Sequence, residues 1–225
     1  MKFLVGLGLS AALITGCGGP STSASPSASP SGSSSDCAAV QQDWAAGGIS
    51  SDWSGANLIN CDLSGANLGE GKFVGADLSG ANLSGANLFV ADLSNANLTG
   101  ANLTGALANS LLANGANLTD ANLTGADLES ADFIGANLTR ADLSGTNLPY
   151  ADFSDATMTD ANLMGLDLSA VGFAGADLVN ANLSGAIGAD TNFAAANLTN
   201  ANLTNVAYCE TTMPDGTVNN DNCAP

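Results

Sequence analysis

The sequence predicts an all-β solenoid, and three observations lead to this fold class. Every fifth position from Trp53 to Met213 is a centre, which gives 33 centres, and all of them hold a large apolar residue except Ala108, Ala113 and Gly188. The residue two positions before a centre is usually Ala. An α-helix turns about 100° per residue, so a five-residue stripe drifts around its surface and cannot build one face. A strand fits only if the chain turns a corner in every unit, and Gly, Asn and Asp at the unit ends supply that corner.

The units resemble the pentapeptide-repeat family, whose pattern A(D/N)LxX occurs here as Ala81-Asn82-Leu83-Ser84-Gly85. The resemblance covers residues 51–213. It implies a right-handed quadrilateral β-helix with four units per coil, in which the centre and the small residue point inward and the other three positions point outward. The units would then form about eight coils, and at roughly 4.8 Å per coil the rod is about 40 Å long.

Four units per coil predict a period of 20 residues, and the chain shows that period independently of the family. The Phe residues at centres lie at multiples of 20 from Trp53: Phe73, Phe133, Phe153, Phe173 and Phe193. Two cations of the chain have a carboxylate 20 residues away on both sides, Lys72 between Asp52 and Asp92, and Arg140 between Asp120 and Asp160. We expect each cation to lie between two acidic side chains of neighbouring coils.

The first 16 residues are typical of a secretory signal peptide, with a positive start and an apolar segment too short to span a membrane. The sequence Ile14-Thr15-Gly16-Cys17 resembles a bacterial lipobox, which implies a lipoprotein whose mature N-terminus is lipidated Cys17. The alternative is a plain signal peptide or an N-terminal anchor in which Cys17 is incidental. We expect the chain to be lipid-anchored in the cell envelope, on the periplasmic or extracellular face.

The remaining segments divide by composition. Residues 17–35 contain the lipidated cysteine and a tether of Ser, Pro, Ala and Gly that cannot form a core. Residues 36–50 are an N-terminal cap, in which Asp36 to Ala46 predict a helix capped by Asp36 with Val40 and Trp44 on one face. The solenoid covers residues 51–213, and residues 214–225 form a C-terminal cap that begins with a Pro214-Asp215-Gly216 turn.

Four cysteines remain besides Cys17, an even number in an exported protein. Pairing Cys209 with Cys223 closes a loop in the C-terminal cap, and pairing Cys37 with Cys61 joins the N-terminal cap to the first coil. The alternative for Cys61 is a free cysteine that replaces Ala at a small inward position.

The amino-acid composition of the chain excludes several classes of function. The chain has 21 Asp and Glu against 3 Lys and Arg, a net charge of −18 and no His. Direct nucleic-acid binding is therefore excluded, and the usual general base and the commonest metal ligand are missing. We expect no enzyme activity, no cofactor and no metal centre. A protein partner would be basic, and the rod itself is expected to be a monomer.

Two surface features stand out from the repeat. Asp132 and Asp152 occupy outward positions one coil apart and either hold a hard cation, share a proton or belong to a solvated acidic face. An apolar patch at one corner, next to the small centres Ala108 and Ala113, is a candidate partner site: Phe89, Val90, Leu107 and Leu112. The alternative is a local irregularity in which Leu107, Leu111 or Leu112 turns inward to replace the missing centres.

The leading function is a non-enzymatic envelope scaffold or interaction module that works through its acidic surface. A second hypothesis follows from the family, some of whose members resemble duplex DNA and bind DNA gyrase; the export segment argues against it because gyrase is cytoplasmic. Weak binding of divalent cations is a third.

Overall fold

The protein is described by a computed structural model over residues 35–45, 52–221 and 223. The predicted signal peptide, Cys17 and the tether up to residue 34 lie outside these residues, as do residues 46–51. The described chain contains helix α1 (Ser35–Ala45) and the short strands β1 (Ile187–Ala189), β2 (Ala207–Cys209), β3 (Thr211–Thr212) and β4 (Val218–Asn219).

Parallel backbone pairing between residues 20 positions apart holds the solenoid together. Asp52 pairs with Lys72 through an isolated bridge, and β1 and β2 have the same offset, with Ile187 opposite Ala207. Between the bridged residues Asp52 and Thr212 the chain completes eight coils of 20 residues. Most pairings are single bridges because each straight side ends at a turn after a few residues. The expected β-helix, with four five-residue sides per coil, is confirmed.

Each corner is a β-turn closed by a backbone hydrogen bond. The amide of Ala81 donates to the carbonyl of Leu78 at 2.9 Å, and Gly80, the third of the four turn residues, has φ +65°. A left-handed third residue defines a type II turn, which favours Gly or Asn. Gly occupies 14 of the 32 corner positions from 55 to 210, and the other 18 hold L-residues in the same conformation. Coil pairing therefore imposes the turn even where the side chain opposes it.

The interior is a column of alternating small and large side chains. Inward Ala and Leu residues are buried along the rod, as the sequence predicts. The Phe centres stack on one face: ring centroids are 4.9 Å apart for Phe133 and Phe153, 5.4 Å for Phe153 and Phe173, and 5.1 Å for Phe173 and Phe193. Stacked rings one coil apart confirm the 20-residue period.

The irregular units around residue 110 keep the register of the coil. Ala108 and Ala113 are buried at the centre positions, and Leu111 is also fully buried, at a position that normally holds Ala. Leu107 and Leu112 remain outside, with 52% and 39% of their surface exposed. Of the three leucines expected as replacements for the missing centres, only Leu111 turns inward, because its position is one of the two that face the core.

Helix α1 closes the N-terminal end of the solenoid. Val40 is buried and Trp44 packs against the core. The helix begins at Ser35, one residue before the expected cap Asp36, and the Asp36 carboxylate accepts a hydrogen bond from the amide of Asn57 at 3.0 Å. Asp36 therefore ties the helix to the first coil.

A hairpin closes the other end. Strands β3 and β4 pair antiparallel, with Thr212 opposite Val218, while Thr212 also pairs in parallel with Asn192 of the preceding coil, so the end of the solenoid and the C-terminal hairpin share β3. The predicted turn is present: Gly216 has φ +82°, and the Asp215 carboxylate accepts a hydrogen bond from the amide of Thr217 at 2.9 Å.

Both caps are joined covalently in the structure. Cys37 in α1 is bonded to Cys61 in the first coil, with Cα atoms 5.6 Å apart. Cys209 is bonded to Cys223, with Cα atoms 4.9 Å apart. The structure thus contains both cysteine pairs expected from their places in the caps and the first coil, and Cys61 is bonded rather than free.

Candidate interaction surface

The rod has four outward faces, which we name after their first centres, Trp53, Leu58, Leu63 and Leu68. The Leu58 and Leu63 faces form the regular side. We number the five positions of a unit so that the small residue is first and the centre is third. On these two faces the second position holds Asn or Asp in every coil but one, and the fourth position mostly holds Ser or Thr. The Leu68 and Trp53 faces, with the corner between them, form the irregular side.

Amide ladders run along the regular side. The Asn82 side-chain amide donates to Asp62 at 3.1 Å, and Asn102 donates to Asn82 at 3.1 Å. The Asn82 oxygen also accepts a hydrogen bond from the amide of Ser84 at 3.2 Å, which supports the turn. A carboxylate only accepts, so Asp62 can begin this ladder but could not continue it. Sequence inspection missed this role, although the order of Asp before Asn signals it.

The irregular side carries most of the charge and exposed apolar surface. It holds 10 of the 17 carboxylates between residues 52 and 210: Asp52, Glu70, Asp92, Asp127, Glu129, Asp132, Asp152, Asp167, Asp190 and Glu210. It also holds seven of the ten exposed large apolar side chains of the described residues: Phe89, Val90, Leu107, Leu112, Ile134, Tyr150 and Ile187. Because this side varies more from coil to coil than the regular side, it is the candidate surface for specific recognition.

Of the two cations of the rod, Arg140 is bound by a carboxylate, whereas Lys72 only lies in register with its acidic neighbours. Arg140 donates two hydrogen bonds of 2.6 Å to Asp120, and these bonds hold the pKa of Asp120 below its usual range. The second expected partner, Asp160, contributes only through its charge. Lys72 is in register with Asp52; hydrogen bonds from Ser54 lower the pKa of Asp52, and the charge of Lys72 adds to that effect.

Asp132 and Asp152 lie in register on the Trp53 face, but each carboxylate is engaged near its own turn. Asp132 accepts hydrogen bonds from the amide of Ile134 at 3.2 Å and from Asn114 at 3.1 Å. Asp152 accepts from the amide and hydroxyl of Ser154 at 2.8 and 2.6 Å. No group of three or more acidic, Cys or His side chains that could hold a metal occurs within residues 35–45, 52–221 and 223. Two carboxylates alone supply too few oxygens for a calcium site.

The predicted apolar patch is present on the irregular side. Phe89, Val90, Leu107 and Leu112 are 48%, 40%, 52% and 39% exposed. Ile134, 42% exposed on the next coil, extends the patch and was missed from the sequence. The sequence signal for Ile134 is an apolar residue at a fourth position, where the equivalent residues one coil before and one coil after are polar.

Cys17 lies outside the described residues, so its lipidation stays a prediction. Among the helices that the structure does describe, none has the length and apolar character needed to cross a bilayer.

These features define a repeat solenoid with a uniform interior and two chemically different sides. The family model described as pentapeptide repeats matches eight copies over residues 49–80, 72–107, 112–140, 136–171 and 167–205. The chain belongs to the pentapeptide-repeat family. The matched ranges leave out residues 108–111, which lie within the irregular units. Proteins of this family are generally structural or interaction modules rather than enzymes.

Solved structures similar to this chain are also pentapeptide-repeat proteins. HetL, involved in heterocyst differentiation regulation in the cyanobacterium Nostoc sp. strain PCC 7120, is 31% identical, with 80% of this chain and 98% of HetL covered and a TM-score of 0.52. A pentapeptide repeat protein of the Arabidopsis thaliana thylakoid lumen is 30% identical, with 60% and 78% covered and a TM-score of 0.28. QnrB1, a plasmid-mediated fluoroquinolone resistance protein, is 18% identical, with 71% and 87% covered and a TM-score of 0.43. No curated protein matches the chain.

Proposed function

We propose that this chain is a non-enzymatic, lipid-anchored solenoid of the cell envelope that acts as a protein-interaction scaffold through its irregular side. The observation that carries the proposal is the concentration of carboxylates and exposed apolar side chains on one side of a rod whose core and opposite side keep the repeat. If the outward residues served only folding, all four faces would carry the same residue pattern. The rigid stack of coils suits a scaffold because it presents side chains at fixed spacing.

The anchor follows from the segment before the rod. Cys17 after a small-residue lipobox is the expected lipid attachment site, and the Ser- and Pro-rich tether of residues 18–35 would span roughly 25 Å. The tether would hold the rod away from the membrane so that partners reach its sides.

Fatty-acid labelling of the full chain in a bacterial host, with membrane fractionation, tests the anchor. The parent should carry the label and sediment with membranes, whereas Cys17→Ser should lose both properties. A Cys17→Ser chain that labels and fractionates like the parent contradicts the lipoprotein proposal.

Site-specific photo-crosslinking in the envelope tests the scaffold. A photoreactive residue at Glu129, exposed on the irregular side, should give adducts with another protein, and one at Thr104, exposed on the regular side, should not. Equal adducts from both positions, or adducts only from Thr104, would contradict the assignment of the irregular side.

An acidic mimic of duplex DNA is the second candidate, and the charge of the rod favours it. Between residues 52 and 210 there are 17 carboxylates against Lys72 and Arg140. Such a rod would occupy the DNA site of gyrase or of another DNA-binding protein. Competition between the full chain and duplex DNA for purified gyrase tests this candidate, and recovery of the chain in the cytoplasm would favour it over the envelope scaffold.

A further inference from the structure

The apolar patch extends over three coils. Leu107 and Leu112 lie in adjacent units on the two sides of one corner. The amide of Val90 donates to the carbonyl of Asn109 at 3.1 Å, which places Val90 and its neighbour Phe89 one coil away at the same corner. On the following coil, the carbonyl of Ile134 accepts a hydrogen bond from the amide of Gly115 at 2.9 Å. Phe89, Val90, Leu107 and Leu112 therefore lie around one corner over two coils, and Ile134 lies on the Trp53 face of the coil that follows.

Folding does not require these apolar side chains. Leu111 already supplies the interior at the irregular units. Most other coils place Asn or Asp at the positions of Leu107 and Leu112, where the side-chain oxygen can accept a turn amide; Asn87, for example, accepts from the amide of Phe89 at 3.1 Å. Leucine gives up that bond and leaves apolar surface in water.

Val90 adds a second local cost. It adopts φ +56°, in the left-handed region that strongly disfavours β-branched residues. Many other corners carry Gly or Asn, which adopt this conformation easily. Strain of this kind, with the side chain 40% exposed, is more typical of a binding surface than of a packing requirement.

Carboxylates surround the patch. Leu112 is in register with Asp92 on one side and Asp132 on the other, and Leu107 is in register with Asp127. Hydrogen bonds from Asn147 and Asn109 outweigh the effect of burial and lower the pKa of Asp127, so it is charged at neutral pH. This rim repels anionic lipid and nucleic acid, and a net charge of −18 opposes pairing with a second copy of the chain.

We propose that Phe89, Val90, Leu107, Leu112 and Ile134 form the docking surface for a protein segment with apolar side chains flanked by Lys or Arg. The proposal rests on the scaffold function and names the chemistry of its partner. Apolar anchors fill the centre of the surface, and the flanking cations meet the acidic rim, which gives affinity and orientation together.

Titration of the full chain with labelled synthetic peptides tests the docking surface. The probe is a 15-residue peptide of Leu and Lys, and the comparison peptides replace Leu by Ser or Lys by Glu. We expect binding of the Leu and Lys peptide only, weakened about tenfold or more by the double substitution Leu107→Asn and Leu112→Asn. Asn occurs at these positions in other coils, so the variant should fold.

The matched control removes two exposed apolar residues from the regular side. Ile59→Thr with Met164→Ser restores the residues usual in those columns and should leave peptide binding unchanged. Val90→Asn should raise the melting temperature and weaken binding, a combination that a purely structural valine would not give.

The outcomes separate this proposal from the scaffold function. The docking surface would be overturned if the Leu107→Asn and Leu112→Asn variant bound the Leu and Lys peptide as well as the Ile59→Thr and Met164→Ser control does. It would also be overturned if the full chain bound the Ser-substituted peptide as well as the Leu and Lys peptide. If Glu129 crosslinks persist in the Leu107→Asn and Leu112→Asn variant, the scaffold stands and the patch is not its site. Absence of both peptide binding and crosslinks overturns both.

Discussion

At the scale of single residues, the difference between Asn and Asp decides how neighbouring coils are linked. Asn82 donates to Asp62 and accepts from Ser84 and Asn102. In Asn82→Asp the acceptor bonds remain, but the donor is lost and two carboxylates face each other across one coil. We expect a loss of about 1 kcal/mol, or a melting temperature lower by about 2–4 °C. Thermal unfolding at low salt measures it.

The reverse substitution is the control. Asp62→Asn keeps the oxygen that accepts from Asn82 and Ser64 and removes one negative charge. Its melting temperature should equal or exceed that of the parent. If Asn82→Asp melts with the parent, the ladder contributes no measurable stability.

At the scale of the five-residue unit, the inward and outward positions were predictable from the sequence and the exceptions were not. Period and residue size distinguish Leu123 from Asn122 without any coordinates, because a β-coil with a corner in each unit exposes three positions and buries two. The same pattern cannot choose between the carboxylates one coil before and after Arg140, since both are 20 residues away. Only side-chain geometry selects Asp120.

The difference between the regular and the irregular side could not be predicted from the repeat pattern either. Leu107 and Leu112 were recognisable as exceptions, but inward and outward solutions both satisfied the composition of their units. Maintained backbone pairing of Leu107 with Asn87 and of Leu112 with Asp92 resolved them. Ile134 was missed because a lone apolar residue at a turn carries little information until its neighbours in space are known.

An inward centre should be intolerant of charge. Leu123 is fully buried, and Leu123→Asp places a carboxylate without a partner in an apolar column, at a cost of several kcal/mol. Thermal unfolding should show a large loss or no cooperative transition. Asn122→Asp, one residue earlier, keeps an oxygen for the amide of Thr124, which lies 2.9 Å away, and adds only repulsion from Asp142 one coil on, so it should cost far less than Leu123→Asp. Equal shifts for the two variants would contradict the inward assignment.

For the whole molecule, acid should destabilise the fold. Where a shift is found among the described aspartates, it is downward, as for Asp52, Asp62 and Asp215, whose carboxylates accept hydrogen bonds from their own turns. A carboxyl whose pKa is lower in the folded chain stabilises it above the unfolded value of 3.8 and loses that effect as pH falls through the folded value. Melting temperature should therefore drop below about pH 4.

One variant isolates that acid effect. Burial raises the pKa of Asp142, but hydrogen bonds from Ser144 and Asn162 outweigh it and lower the pKa overall. Asp142→Asn keeps an accepting oxygen at every pH, so its melting temperature should fall less steeply below pH 4 than that of the parent. An identical acid profile would show that these hydrogen bonds do not set the pH dependence.

Above that range the charge of the whole rod opposes its own stability. With 21 acids and 3 bases, and with Arg140 already bound by Asp120, carboxylates stacked about 5 Å apart repel one another along the coils. Added salt should raise the melting temperature gradually by screening this repulsion, and calcium should do so through its higher ionic strength. Melts in calcium and in sodium chloride at matched ionic strength should nearly coincide. A calcium effect that saturates at low concentration and disappears in Asp152→Asn would instead establish a specific site with Asp132, and the acidic surface would then be a cation-binding surface.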